Sequence, residues 1–226
     1  MTEAQARDDI CRVGKSLFDR GYVHATAGNI SVKLDAEHGG GYLITPTDAC
    51  LGFLDSARLA RLDDAGQQIN GERASKTIAL HRQIYAASAG SPTAARCVIH
   101  THSTHCVALT LGASTASHEL LPALTPYFVM KVGRVPMIAY HRPGDPQAAQ
   151  AVTAVIAKYQ ASGTPIRAVM LERLGPNVWH DSLAEAMATL EELEETAKLW
   201  CLTQGSASSL PESAIAELRQ TFGAFW

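Results

Sequence analysis

Short apolar runs bounded by turn residues, separated by longer stretches of helical periodicity, constrain what this chain can fold into. Gly28-Asn29-Ile30-Ser31-Val32 and Gly41-Tyr42-Leu43-Ile44-Thr45 read as two strands joined through the glycine-rich turn from Asp35 to Gly40, most simply a hairpin. Cys97 to Ile99 is a third strand, running straight into His100, and Val135 to Tyr140 and Ile166 to Leu171 are two more. The last is closed by a Gly175-Pro176 turn and answered by Asn177 to His180. Between the strands, Ile10, Val13, Leu17 and Phe18 repeat at helical spacing up to Gly21, and Ile78, His81, Ile84 and Tyr85 do so within Ser75 to Ala87. Thr104 to Leu111, Gln147 to Gln160 behind the rigid Arg142–Pro146 turn, and Leu183 to Leu202 complete the helices; Leu54 to Leu62 fits neither class, and a loop runs from Leu111 through Pro122 and Pro126. The pattern predicts one α/β domain over residues 1–204, followed by a linker at Gly205 to Pro211 and a C-terminal tail, 205–226. Phe222, Phe225 and Trp226 make that tail a segment expected to dock on a partner subunit.

Composition narrows the function classes. The 226 residues are 46% hydrophobic and 18% charged, which is ordinary globular usage, so a sizeable core is available. Nineteen basic against twenty-two acidic side chains give a net charge of -3 with no basic stripe, which argues against a nucleic-acid partner. Met1 to Asp9 is polar and acidic, unlike a signal or transit peptide, and no apolar run is long enough to span a membrane. Five cysteines, odd in number and without a Cys-x-x-Cys pair, speak against a disulfide framework or a thiolate zinc site. The expectation is a cytoplasmic protein with reduced thiols and no membrane partner.

Chemistry concentrates at the end of the third strand. Residues two apart in a strand share a face, so His100 and His102 can present both imidazoles to one metal ion, with His105 just beyond. An isolated His-x-His is more often explained by polar residues closing a strand. Gly28-Asn29-Ile30-Ser31, Thr45-Pro46-Thr47 and Ser75-Lys76 each offer backbone donors, hydroxyls or a cation to an anion, although turn conformation alone selects such residues. The stretch Glu191, Glu192, Glu194 and Glu195 reads as a solvated helix face.

The order of these motifs is more specific than any one of them. Gly-Asn-Ile-Ser, Thr-Pro-Thr, Ser-Lys, His-Thr-His-Ser-Thr-His, Leu-Thr-Pro-Tyr, Arg-Pro-Gly-Asp and a Gly-Pro turn, over roughly Ile10 to Leu202, resemble the class II aldolase/adducin family. Within it the chain is most similar to the decarboxylases of 3-oxo sugar-acid phosphates, through Leu124 to Gly133, Tyr140 to Pro146 and Glu191 to Leu199. The resemblance implies a three-layer α/β/α sandwich with a central, largely antiparallel sheet. It also implies a divalent metal, usually zinc, on three histidines, and a homo-oligomer, such as a tetramer, with active sites between subunits. On this likeness His100 and His102 are two metal ligands, and Gly28, Asn29, Thr47, Ser75 and Lys76 form a phosphate cradle. Tyr127, Lys131 and Arg142 become substrate contacts, some across an interface.

Three positions depart from the family pattern. Leu174 stands where the third metal histidine belongs, Thr77 where the acid/base glutamate belongs, and Asp48 where a glycine follows Thr-Pro-Thr at the phosphate cradle. His180, across the Gly175-Pro176 turn, and Glu172 are the first candidates to complete the metal site, ahead of His105. Without a carboxylate at position 77, retro-aldol cleavage loses its base, whereas a 3-oxo acid can lose CO2 with only an electron sink at its carbonyl. The chain is therefore expected to be a metal-dependent carbon–carbon lyase on a small oxo acid or sugar acid, a decarboxylase before an aldolase. The competing expectation is a divergent, metal-free member of the fold, with a non-phosphorylated ligand or a binding or assembly role.

Overall fold

The structure is a computed structural model, described here for residues 1–112 and 119–226; part of the loop expected after Leu111 lies outside those residues. Eight strands form one sheet: β1 (Asn29–Lys33), β2 (Tyr42–Ile44), β3 (Ala60–Leu62), β4 (Gln68–Asn70), β5 (Cys97–His100), β6 (Met137–Ile138), β7 (Ala168–Leu171) and β8 (Gly175–His180). Their order across the sheet is β4-β3-β2-β1-β5-β8-β7-β6. Every neighbouring pair is antiparallel except β6 with β7. The expected hairpin is present, with Ser31 opposite Ile44 and Val32 opposite Leu43.

Alternation along the strands sends side chains into two cores. Ile30, Val32, Cys97, Ile99, Met170 and Val178 enter one, closed by α1 (Glu3–Asp19), α3 (Thr104–Leu109), α5 (Leu183–Leu202) and α6 (Glu212–Phe222). Val98, Val169, Leu171 and Trp179 enter the other, beneath α2 (Ile78–Ser88) and α4 (Pro146–Ala161). This is the expected three-layer α/β/α sandwich. Local chemistry fixes the helix starts. A Thr2 and Gln5 capping box opens α1, the Asp145 carboxylate with Pro146 opens α4, and the Ser182 hydroxyl opens α5.

Some expectations are corrected. Gly175 and Pro176 do not form the turn but begin β8. The reversal is Glu172–Leu174, with Arg173 in the left-handed region at φ +62°. Val135 to Tyr140 shortens to the two residues of β6, and Leu54 to Leu62 divides into a short 3-10 turn, Ser56–Arg58, and β3. Residues 205–226 carry α6, and Trp226 is spent on the chain's own core. Its ring lies 5.6 Å from Phe128 and 5.1 Å from the Arg134 guanidinium, while Arg219 Nε donates to its carbonyl.

Candidate active site

The site begins with a row of residues across the centre of the sheet. Asn29 on β1, His100 on β5 and Asn177 on β8 are directly opposed, so their side chains share the face covered by α2. Ser31, two residues along β1, meets that helix: its hydroxyl is 2.7 Å from His81 Nδ1 and 2.7 Å from the Tyr85 hydroxyl. His100 Nδ1 donates to the Pro176 carbonyl at 2.9 Å, which fixes the tautomer and leaves Nε2 as a free electron-pair donor. The His102 ring stands 5.1 Å from that of His100. A Cβ on Gly175 would lie 2.0 Å from the Thr101 carbonyl oxygen, so only glycine lets the turn carrying Leu174 lean on Thr101 and His102.

Burial keeps these imidazoles neutral. His100 is pushed down to about 4, first by desolvation and then by His102. His81 is pushed down to about 3 by desolvation and by His100. His102 is lowered by burial and by nearby His24. Neutral imidazoles are the form that ligates metals and accepts protons. Four buried polar atoms have no hydrogen-bond partner among the described residues: Asn29 Oδ1, His81 Nε2, and both amide atoms of Asn177. The Asn177 amide lies against the His81 ring without reaching hydrogen-bonding geometry.

Beside this row lies the corner expected to take an anion. A bridge between Pro46 and Ala74 joins the segment after β2 to the approach to α2; Thr47 N donates to the Arg73 carbonyl at 2.9 Å and Ser75 N to that of Thr45 at 3.2 Å. Thr77 sits at the start of α2, where its hydroxyl accepts from Asn29 Nδ2 at 3.3 Å. Gly28 is at φ +87°, and a Cβ there would be 2.8 Å from the His100 carbonyl oxygen, so the backbone passes close to the histidine strand. The chain thus brings Gly28, Asn29, Thr47, Ser75 and Thr77 to one corner, with Lys76 exposed at its rim and the positive end of α2 beneath it. Asp48 is exposed next to Thr47, at φ +57°.

Other expected residues lie elsewhere. His180 cannot complete a site with His100. It pairs with Cys97, three residues up the strand and about 10 Å away by strand rise, and its Nδ1 is 2.6 Å from Asp181. Glu172 is turned to the Tyr140 backbone, whose N–H it accepts at 2.9 Å. His105 is held by Glu194, which accepts from the N–H groups of His105 at 2.8 Å and Cys106 at 3.0 Å. That glutamate caps α3 from a buried position, so the Glu191–Glu195 stretch is not wholly a solvated face. Tyr127 and Lys131 lie exposed along a π-helical turn, Phe128–Val132, packed on α5 and α6. Arg142 is exposed in the loop before α4, 3.8 Å from Asp145. A cleft of about 700 Å³ lined by Asp35, Arg96 and Asp181 opens at the far end of β5 and β8, away from these groups.

For a divalent metal, His100 and His102 supply two neutral imidazoles, one already oriented by a carbonyl. At the third position Leu174 offers only carbon and packs into the second core. Among the described residues, three ligating atoms within 4.8 Å of one another occur only at Asp35, Glu37 and His38, not at this site. The donor set fits two ligands of a metal and leaves one place to be filled. His81 and Asn177 were not singled out by sequence. The available signal was spacing, since His81 follows Thr77 by four residues and so shares its face of α2.

Comparison with known proteins agrees with this geometry. The class II aldolase and adducin N-terminal domain matches residues 8–201. The 3-oxo-tetronate 4-phosphate decarboxylase of Cupriavidus necator is 50% identical over 230 residues, covering 100% of this chain and 99% of that protein. Its namesake from Escherichia coli K12 is 38% identical, covering 96% of each chain. The crystal structure of YgbL from Escherichia coli, described as an aldolase, epimerase or decarboxylase, superposes with a TM-score of 0.85 at 36% identity. It covers 96% of this chain and 99% of that one. The chain belongs to the class II aldolase and adducin family and is a carbon–carbon lyase of that fold.

Proposed function

We propose that the chain decarboxylates 3-oxo-tetronate 4-phosphate or a close 3-oxo sugar-acid phosphate. One observation carries this: the Asn29–Thr77 hydrogen bond joins the histidine row to the anion corner, so one small substrate can place its phosphate at the corner and its 3-oxo acid at the histidines. Ser75, Lys76, the Gly28 and Asn29 backbone and the start of α2 hold the phosphate. Asp48 is exposed beside Thr47, so solvent screens its charge from a phosphate at the corner. Decarboxylation breaks the bond to the carboxylate, sends its electron pair to the 3-oxo oxygen, and leaves an enolate whose carbon then takes a proton. No base is required at the outset, which suits a hydroxyl at Thr77 where an aldolase of this family would carry glutamate. Thr77 instead orients Asn29.

His100 and His102 hold a divalent metal, for which imidazole ligation favours zinc; when bound, such an ion supplies Lewis acidity toward the 3-oxo oxygen. The active form is a homo-oligomer, a tetramer on the family likeness, in a cytoplasmic setting consistent with five free cysteines. Tyr127, Lys131 and Arg142 are exposed and held by elements outside the histidine row, and we assign them to a neighbouring subunit's substrate, with exposed Phe222 of residues 205–226 at the same interface. Steady-state assay of the phosphorylated and unphosphorylated 3-oxo acids tests this reading. Lys76→Ala should raise KM for the phosphorylated acid alone, and His102→Ala should lower kcat by about 100-fold or more. Equal turnover of both acids would contradict the phosphate corner.

A further inference from the structure

We propose that Trp226 is a positioning residue for this reaction, gripping the turn that presents Tyr127 and Lys131. This rests on the assignment of those two side chains to substrate. Phe128–Val132 is a single π-helical turn, closed where Gly133 N donates to the Phe128 carbonyl at 2.9 Å. Wide turns of this kind are rare, and they recur at functional sites. Tyr127 and Lys131 are exposed, so the contacts that hold the turn come from its buried side. Phe128 is fully buried there, and the Trp226 ring meets it edge to face with the centroids 5.6 Å apart. The Arg134 guanidinium, just past the turn, lies 5.1 Å from the centre of the same indole. At Gly133, φ +77°, a Cβ would stand 2.9 Å from the Phe225 carbonyl oxygen, so the chain leaves the turn against the backbone next to Trp226.

One indole thus holds the turn at its first residue and just beyond its last. Its own position is fixed from two sides. Arg219 Nε donates to the Trp226 carbonyl at 3.0 Å. Arg134 donates to both carboxylate oxygens of Glu119, at 2.8 and 3.0 Å, and the Tyr159 hydroxyl of α4 donates to the same carboxylate at 2.9 Å. Trp226 does not face the reacting atoms of its own histidine row, because it belongs to the first core and the row lies on the other side of the sheet. Its leverage is the shape of the turn. Without the indole the π-helical turn is free to tighten toward the roughly 3.6 residues per turn of an α-helix, which swings Lys131 relative to Tyr127.

The test is a double-mutant cycle on the full chain with 3-oxo-tetronate 4-phosphate, with amide hydrogen exchange of residues 127–133 as second readout. Trp226→Ala should lower kcat on the order of 100-fold while KM stays within about twofold. Trp226→Phe, which keeps a ring between Phe128 and Arg134, should recover most of that loss. In a background of Tyr127→Ala with Lys131→Ala, the same Trp226→Ala change should move kcat by less than about twofold, because the side chains it positions are gone. Exchange of residues 127–133 should quicken about 10-fold in Trp226→Ala while β5 exchanges as in the wild type. Gly133→Ala, which crowds the Phe225 carbonyl, should reproduce these effects and serves in place of Trp226→Ala if that variant does not fold. Equal loss of kcat in both backgrounds, or unchanged exchange in the turn, would overturn the proposal. Full kcat in the Tyr127→Ala, Lys131→Ala protein would refute the substrate assignment and the proposal with it. Absence of CO2 release from the wild type, with exchange quickened as expected, would instead refute the decarboxylase reading and leave the grip on the turn standing.

Discussion

Asn177 is buried in the middle of the sheet with neither amide atom paired, so it should be a position where stability and activity oppose each other. Leaving one buried donor or acceptor unsatisfied costs about 1–3 kcal/mol, while removing it in favour of an apolar group of similar shape recovers that cost. Asn177→Leu has nearly the shape of asparagine and faces the same pocket as Trp179, within the second core. The expected effect is a gain of about 2 kcal/mol in unfolding free energy, or about 4–8 °C in Tm for a domain of this size. Urea denaturation of the chelator-treated protein at neutral pH measures it without a contribution from metal linkage. Turnover of the 3-oxo acid should fall in the same variant, because the amide facing His81 and His100 is lost. A loss of more than about 1 kcal/mol would refute the reasoning, since it would mean that the amide is already well paired.

Other positions make narrower claims. Gly28→Ala adds a Cβ 2.8 Å from the His100 carbonyl oxygen at φ +87°, so it should destabilise by about 1–3 kcal/mol in urea melts and lower kcat by displacing the histidine strand. Glu194→Ala removes the acceptor for two backbone N–H groups of α3 and for His105 Nδ1, and should cost about 2 kcal/mol by the same assay. His81 and His100 are held neutral with pKa values well below 6.5, so the unfolded chain binds the extra protons. Stability should be full above pH 6.5 and fall as pH drops toward 4, by about 1.4 kcal/mol per pH unit for each group, in melts of the metal-free protein. His180→Ala, remote from the site at the far end of β8, should leave zinc affinity unchanged.

Much of the fold was legible because its signals are local. Gly28 to Val32 and Gly41 to Thr45 alternate between two faces, and Leu183 to Leu202 is helical by its Ala, Leu and Glu propensity. The order of site motifs also identified the strand end at His100 and His102. What local pattern could not show was which residues oppose one another across strands. His180 looked close to His102 through a Gly-Pro turn, but the turn is Glu172–Leu174, and the antiparallel register carries His180 away while placing Asn177 against His100. Helix periodicity gave His81 a core face without showing that its partner would be Ser31 on β1. Glu194 read as one more charge in an acidic run, because its role depends on α3 starting beneath it. In each case a contact distant in sequence determined the chemistry.

The central claim, decarboxylation at the histidine row, is tested most directly with 3-oxo-tetronate 4-phosphate labelled with ¹³C at its carboxylate. Carbon NMR of the zinc-loaded protein should show one labelled CO2 or bicarbonate per substrate consumed, with His100→Ala reducing the rate by about 100-fold or more. Consumption without labelled CO2, or full activity in His100→Ala, would contradict it.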